Sequence, residues 1–306
     1  MEADQAASLS RLRLGRRAAL TGGMAVLGGL AATATGCAKV DLLNATVPTS
    51  GLTANRNIAY GDGSRDKLDV YVPKSATDAD PPVIVFFYGG TWQTGAKHDY
   101  LFAAEALSET GAIVVVPDYR LYPEVIFPGF LEDSARAVAW TIANIGRWGG
   151  DPNSIFLAGH SAGAYIAIML ALDPEYLARA GVRDVRLAGA IGISGPYDFL
   201  PIKRADIKSI FEVVPDLALT QPIHYARGDA PPLLLVTGDD DTTVSPDNTR
   251  NLAARIKALG GEVETEYYPR VDHIDSVIAL TALFRARAPV LADIRRFIAE
   301  HPHLPG

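Results

Sequence analysis

The chain has 306 residues, of which 48% are hydrophobic, and its formal net charge is −7. This length and composition are typical of a globular protein with a sizeable core, arranged as one large domain or two small ones. Because phosphate binding needs a surplus of Lys and Arg on some face of the protein, the acidic balance argues against a nucleic-acid partner.

The first 36 residues have the pattern of a bacterial export signal. A basic segment that includes Arg16 and Arg17 precedes a run of small and apolar residues without charge. The arginine pair is compatible with twin-arginine export, and residues 34–37 (ATGC) resemble a lipoprotein box. We therefore predict that residues 1–36 are a signal peptide and that Cys37, the single cysteine, carries a lipid. The protein would be membrane-anchored and face the periplasm or the cell exterior; an uncleaved anchor and plain secretion are the alternatives.

Residues 37–54 are small and polar without a clear period, which is typical of a linker. From residue 55 to residue 306, which we predict to be one catalytic domain, strand and helix patterns alternate. Residues 57–60 and 67–73 alternate polar and apolar side chains around a Gly-Asp-Gly turn, as an antiparallel pair does. Five continuous apolar runs follow, as expected for parallel strands buried on both faces. These runs are residues 82–88, 112–119, 154–159, 187–195 and 232–238.

Helical patterns separate these strands, and a last alternating strand is predicted at residues 263–269. The alternation predicts an α/β fold with a mostly parallel central sheet and helices on both faces. Residues 197–230 are long, interrupted by prolines and mixed in character, so we expect a small cap or lid there rather than a crossover helix. The predicted helices are residues 99–109, 130–147, 162–171, 246–259 and 287–300.

The stretch AGHSAGAY, residues 158–165, places the pattern G-x-S-x-G between a predicted strand and a predicted helix. In this context Ser161 is expected on a sharp turn with its hydroxyl exposed at the end of the sheet, and Gly159 and Gly163 let strand and helix approach. A serine hydroxyl needs a base to take its proton and a carboxylate to orient that base. His160 points elsewhere on such a turn, so we expect it to pack beside the site.

The acid and the base are expected after Ser161, in the chain order serine, acid, histidine. Asp239, Asp240 and Asp241 directly follow the strand that ends at residue 238. His273 follows the last predicted strand, and the remaining histidines lie upstream, in the predicted cap or in the C-terminal tail. We therefore predict that His273 is the base.

The oxygen of an attacked carbonyl needs hydrogen-bond donors while it carries negative charge. The backbone N–H of Ala162 follows the nucleophile, and the glycine-rich segment YGGTW (residues 88–92) follows an early strand. We predict that Gly89, Gly90, Thr91 and Ala162 form an oxyanion hole. Neither a metal nor an organic cofactor is predicted.

These motifs resemble the α/β-hydrolase fold and, more narrowly, its esterases with an HGG-type oxyanion loop. The resemblance covers about residues 55–300 and extends to bacterial carboxylesterases, feruloyl-esterase-like lipases, isoprenylcysteine methylesterases and kynurenine formamidases. The family pattern G-x-x-D-x-x-V implies that Asp241 is the acid. Tyr88 stands where the HGG motif has histidine, and Asp272 stands where the family has glycine. The matching segments are YGGTW, PDYRLYPE, GGDPNSIFLAGHSAGAY, GDDDTTV and DHI.

The site residues and the resemblance together predict a serine carboxylesterase that hydrolyses small acyl or aryl esters through an acyl-enzyme. Its triad would be Ser161, His273 and Asp241. An arylformamidase with the same triad and a catalytically inactive binding protein of this fold are the alternatives. The expected partners are a small-molecule ester and, through the lipid, a membrane; the sequence leaves the oligomeric state open.

Asp118 and Arg120 are expected to form a supporting charge pair under the site.

Overall fold

The structure is a computed structural model that describes residues 43–74, 80–183, 186–212 and 214–302. The predicted signal peptide and Cys37 lie outside these residues, so export and lipidation stay predictions. Within the described ranges, no helix is both long enough and apolar enough to cross a membrane.

An eight-stranded sheet forms the centre of the fold. Its strands are β1 (Leu52–Ala59), β2 (Lys67–Pro73), β3 (Val83–Phe87), β4 (Ile113–Pro117), β5 (Ile155–His160), β6 (Gly189–Ile193), β7 (Leu233–Gly238) and β8 (Val263–Tyr268). They lie in the order β1-β2-β4-β3-β5-β6-β7-β8. β2 pairs antiparallel with β1 and with β4, and the remaining neighbours pair in parallel. The predicted α/β-hydrolase fold is confirmed.

Strands β3 to β7 are buried along their whole length, which explains their continuous Val, Ile and Leu runs. β1 differs from the sequence-based prediction, because it begins at Leu52 rather than at residue 57. Its ladder with β2 starts at the pair Leu52 and Pro73. Most side chains of β1 are exposed at this edge of the sheet, so backbone pairing forms the strand where no hydrophobic pattern marks it.

Helices connect the strands, and the five long predicted helices are all present. Within the described residues after β5, three shorter helices were not predicted, because four to seven residues are too few to show a helical period. The helices are α1 (Leu101–Ser108), α2 (Gly129–Asn144), α3 (Ala162–Leu172), α4 (Glu175–Arg179), α5 (Ala205–Phe211), α6 (Asp247–Ala258), α7 (Asp275–Ile278) and α8 (Val290–Glu300).

The carboxyl ends of the parallel strands lie at one edge of the sheet, where sites of α/β proteins form. The predicted oxyanion segment follows β3, Ser161 follows β5, and the predicted acid and base follow β7 and β8. The predicted cap, residues 197–230, contains α5 and two short 3₁₀ turns, Leu217–Thr220 and Pro222–Tyr225. The fold therefore gathers all the predicted site segments at this edge.

Candidate active site

Ser161 stands on a tight corner between β5 and α3. Its backbone φ of 56° and ψ of −120° are rare for a residue with a side chain, and its N–H donates to the carbonyl of Ile193 at 2.9 Å. A Cβ on Gly163 would lie 1.9 Å from the carbonyl oxygen of Phe87, and one on Gly159 would lie 2.3 Å from the Gly163 backbone. Both glycines are therefore required by the close approach of strand and helix.

His273 and Asp241 form a buried hydrogen-bonded pair. Nδ1 of His273 lies 2.7 Å from Oδ2 of Asp241, while Oδ1 accepts from the backbone N–H groups of Thr243 and Val244 at 2.9 and 2.8 Å. Burial alone raises the pKa of Asp241, but the hydrogen bond from His273 and the two backbone amides bring that pKa below its ordinary value. Asp241 is thus a carboxylate at neutral pH, and Nδ1–H of His273 donates to it.

The neighbouring carboxylates lie elsewhere. The side chain of Asp239 is exposed and lies 3.4 Å from the guanidinium of Arg250. Asp240 is exposed as well. Of the three consecutive acids, Asp241 is the one whose carboxylate reaches His273, as the family pattern implies.

His160 packs against His273 and does not serve Ser161. The two ring centroids are 4.8 Å apart, and Nε2–H of His160 donates to the backbone carbonyl of His273 at 3.0 Å. Burial, followed by the neighbouring His273, lowers the pKa of His160 to about 3. Its Nδ1 is buried and has no hydrogen-bond partner among the described residues. His160 is therefore a neutral donor that holds the backbone of the predicted base.

Two serines that sequence reasoning missed support the same carbonyl. Oγ of Ser276 donates to the backbone oxygen of His273 at 2.8 Å, and Oγ of Ser194 donates to Ser276 at 2.9 Å. The spacing of three residues between His273 and Ser276 is a usable signal for a side chain that bonds back within a turn. Ser194 follows β6 and gives no such signal.

Asp272, which replaces the family glycine, has a local structural role. Its Oδ1 accepts from the backbone N–H groups of Ile274 at 2.9 Å and Asp275 at 2.7 Å. A carboxylate in this position satisfies N–H groups at the start of α7 that have no partner within the helix. The substitution thus fixes the turn that carries His273.

The loop after β3, residues 88–97, is called the β3 loop below. It turns sharply, with a φ of 127° at Gly90 and of 54° at Thr91. Among the described residues, no acceptor bonds the backbone N–H of Gly90, Thr91 or Ala162. These three predicted donors are consequently available to an oxyanion.

Gly89 differs from the other predicted donors, because its N–H already donates to Oη of Tyr100 at 3.2 Å. A Cβ at this position would lie 3.1 Å from Cβ of Ser161. Gly89 therefore contributes its small size, which lets the β3 loop approach the predicted nucleophile.

The expected charge pair between Asp118 and Arg120 does not form, and this prediction was wrong. Arg120 instead makes a two-pronged ion pair with Asp133, a fully buried residue of α2, at 2.9 and 2.7 Å. Asp118 accepts from Oη of Tyr88 at 3.0 Å. Pairing by nearness in sequence failed because the buried carboxylate on α2 is the better partner for a guanidinium.

A cavity of about 560 Å³ opens at Ser161. Its wall includes Trp92 of the β3 loop and residues of the predicted cap, among them Phe199 and Ile207. This volume lies within the range of small-molecule sites, which is about 300–1,000 Å³. No group of three or more His, Cys, Asp or Glu side chains in the described ranges is placed to hold a metal ion.

Comparison with known proteins identifies relatives of this arrangement. The BD-FAE family model matches residues 68–256. The chain is 30% identical to an isoprenylcysteine alpha-carbonyl methylesterase of Arabidopsis thaliana over 241 aligned residues. The alignment covers 72% of this chain and 56% of that protein. The chain is also 29% identical to a kynurenine formamidase of Salmo salar over 231 aligned residues. This second alignment covers 72% of this chain and 75% of that protein.

Among solved structures, esterase B from Lactobacillus rhamnosis has a TM-score of 0.73 and 19% sequence identity, covering 87% of this chain and 91% of that one. At this level of sequence identity, the structural similarity shows that the two proteins share a fold. The chain spans about half the length of several curated relatives that it matches. Since the family model covers more than half of the chain, the chain belongs to the BD-FAE family.

Proposed function

We propose that the chain is a serine carboxylesterase that hydrolyses small acyl or aryl esters. The observation that carries this proposal is the 2.7 Å bond between His273 and Asp241, at the same edge of the sheet as a serine held at positive φ. That serine, Ser161, lines the cavity. The methylesterase among the relatives supports ester chemistry.

The proposed reaction begins when Oγ of Ser161 attacks the carbonyl carbon of the ester. The hydroxyl proton passes to Nε2 of His273, and the carboxylate of Asp241 stabilises the imidazolium that forms. The tetrahedral oxyanion accepts hydrogen bonds from backbone N–H groups, including those of Gly90 and Ala162. The intermediate then expels the alcohol, which takes the proton from His273 and leaves the acyl group on Ser161.

Water completes the cycle by the same route. His273 takes a proton from the water molecule, whose oxygen attacks the acyl carbon and forms a second oxyanion. When this intermediate collapses, the bond to Ser161 breaks, the carboxylic acid leaves and the proton returns to the serine oxygen. Each of the two attacks, by Ser161 and by water, begins with His273 in its neutral form, and the hydrogen bond from its Nδ1–H to Asp241 leaves Nε2 as the acceptor.

The size of the cavity and the residues of its wall support a small substrate. Beside Ser161 its wall presents the rings of Trp92 and Phe199 and the side chains of Ile202 and Ile207. Apolar and aromatic walls of this kind bind the hydrocarbon or aryl part of an ester, since burial of apolar area stabilises the complex.

The test is Ser161→Ala in the purified protein, with p-nitrophenyl acetate as substrate. We expect hydrolysis to be abolished and a fluorophosphonate probe to label the wild type but not the variant, because the probe reacts with a serine that an adjacent base activates. Ser209→Ala, which changes an exposed serine of α5 outside the cavity wall, is the matched control and should keep wild-type activity. A Ser161→Ala variant with near-full activity would contradict the proposal.

An arylformamidase with the same three residues is the second candidate, and the formamidase relative favours it. An amide would enter the same sequence of steps, with an amine in place of the alcohol as leaving group. Comparison of kcat/KM for N-formylkynurenine and for aryl acetates separates the two. A value for the formamide that exceeds that for the esters would replace the first proposal.

A further inference from the structure

We propose that Tyr88, through its hydroxyl, is a positioning residue that sets the backbone donors of the β3 loop. The inference rests on the proposed esterase function, because it assigns those donors to the oxyanion. Tyr88 stands where the HGG motif has histidine, so the role is specific to the residues of this chain.

The hydroxyl of Tyr88 bridges two charged side chains. It accepts from the Arg65 guanidinium at 2.6 Å and donates to Oδ1 of Asp118 at 3.0 Å. The ring is fully buried and stacks on Tyr119 at 4.6 Å between centroids. Burial raises the pKa of the Tyr88 phenol well above its ordinary value, so the hydroxyl keeps the proton that it donates.

The same two charged groups hold the far end of the β3 loop. Arg65 donates to the carbonyl of Gly95 at 2.9 Å, and Oδ1 of Asp118 accepts from the backbone N–H of Lys97 at 2.8 Å. A Cβ on Gly95 would lie 2.9 Å from Cδ2 of Tyr88, so this end of the loop also packs on the ring. One hydroxyl thus ties the first residue of the loop to the groups that fix its last residues.

Two of the predicted oxyanion donors, Gly90 and Thr91, lie between these two ends. The carbonyl of Gly90 accepts from the backbone N–H groups of Gln93 and Thr94, each at 3.0 Å, so this part of the loop is a compact turn. Oxyanion donors act only when they are placed about 2.7–3.1 Å from the developing charge, and the loss of one lowers kcat by about 10²–10³-fold. A loop released at its first residue would hold its donors less accurately and lose part of that effect.

Removal of the hydroxyl leaves the charges paired. Arg65 and Asp118 are already 3.6 Å apart, so Tyr88→Phe creates no isolated buried charge and keeps the stacked ring. The change therefore isolates the link between the phenol and the loop.

The experiment compares Tyr88→Phe with the wild type on p-nitrophenyl acetate. We expect kcat to fall about 10-fold, which is less than the complete loss of one oxyanion donor would cause, and KM to stay within about twofold. The affinity for an arylboronic acid, whose tetrahedral adduct with Ser161 puts an oxygen in the same position, should fall by the same factor as kcat. Hydrogen exchange over residues 89–97 should become faster.

Tyr268→Phe is the matched control, because Tyr268 is also buried and its hydroxyl also donates to a carboxylate, that of Asp293 at 2.8 Å. It should lower the melting temperature without a change in kcat, KM or exchange in the β3 loop. Arg65→Lys, which removes the Nη2 group that donates to both Tyr88 and Gly95, gives the same test if Tyr88→Phe does not fold.

The outcomes separate the two proposals. An inactive wild type would overturn the esterase function, while unchanged exchange over residues 89–97 in Tyr88→Phe would overturn the positioning role independently of activity. An active Tyr88→Phe with kcat within twofold of the wild type, or one that matches Tyr268→Phe in every measurement, would overturn the positioning role alone.

Discussion

The two loops on either side of Ser161 are held by different kinds of groups. Arg65 and Asp118, which form an ion pair, hold the β3 loop at both ends. They bond the phenol of Tyr88 at the first residue of the loop, and they bond the backbone of Gly95 and Lys97 at its far end. In the loop after β8, the groups that hold the carbonyl of the predicted base His273 are uncharged donors, namely His160 and Ser276.

The difference follows from the charge that each loop faces in the proposed reaction. His273 becomes positively charged in every turnover, so a cationic support beside it would oppose proton uptake, and His160 avoids this by staying neutral. The β3 loop faces a transient negative charge, and its supporting ion pair has no net charge of its own. On this side the carboxylate of Asp241 bonds directly to the ring that it orients, and its negative charge favours proton uptake by His273.

The largest effect is expected from Asp241→Asn, which removes that charge from the loop after β7. The amide cannot stabilise the imidazolium and can favour the wrong tautomer of His273, so kcat should fall about 10³–10⁴-fold. Steady-state kinetics at pH 7 measure this. Asp239→Asn, at an exposed acid paired with Arg250, should change kcat less than twofold; similar losses in both variants would contradict the assignment.

The neutrality of His160 predicts an acid-sensitive stability. Burial lowers the pKa of His160 from 6.5 to about 3. Between these two pH values His160 therefore binds a proton in the unfolded chain but stays neutral in the folded chain. The free energy of unfolding should therefore fall as the pH drops below about 6, by about 1.4 kcal/mol per pH unit for this group. In His160→Gln that contribution is absent, so urea unfolding from pH 7 to pH 4.5 should show a shallower decline.

His224→Gln, at an exposed histidine of the predicted cap, is the control for this series. Its unfolding free energy should follow the same pH dependence as the wild type. Parallel curves for the wild type and His160→Gln would mean that His160 is protonated in the folded state, and the contrast between the loops would disappear.

The smallest effect is expected on turnover when the His160 donor is lost. His160→Phe keeps a ring beside His273 but has no N–H for its carbonyl, and Ser276 remains as the second donor. A neutral hydrogen bond contributes about 1 kcal/mol, so kcat should fall about fivefold. His160→Gln has an amide donor of similar reach and should recover most of the loss; equal kcat in both variants would show that the bond does not position the base.

Much of the fold could be predicted because the buried strands and long helices carry strong hydrophobic patterns. The site segments could be placed because G-x-S-x-G and the order serine, acid, histidine belong to one architecture, and the structure brings Asp241 to His273 as expected. The catalytic roles of these residues stay predictions.

The supports of the site could not be predicted, because they join residues far apart in the chain through side chains without a periodic signal. Arg65 lies in the turn between β1 and β2, and nothing in the sequence relates it to Tyr88. The expected pair of Asp118 and Arg120 failed for the same reason, since the true partner of Arg120 lies on α2. β1 was predicted too short because its exposed edge position leaves no apolar pattern.

The close approach of Gly163 to the carbonyl of Phe87 depends on the pairing of β3 with β5, which should be slow to form during folding. β3 and β5 are neighbours in the sheet, with Phe87 opposite Gly159, yet α1, β4 and α2 separate them along the chain. Pairings between such distant segments form slowly, because a large loop must close before their contacts stabilise the chain. Catalytic activity that returns after dilution from denaturant would therefore time the closure of this long-range pairing, while local helix formation would be complete much earlier.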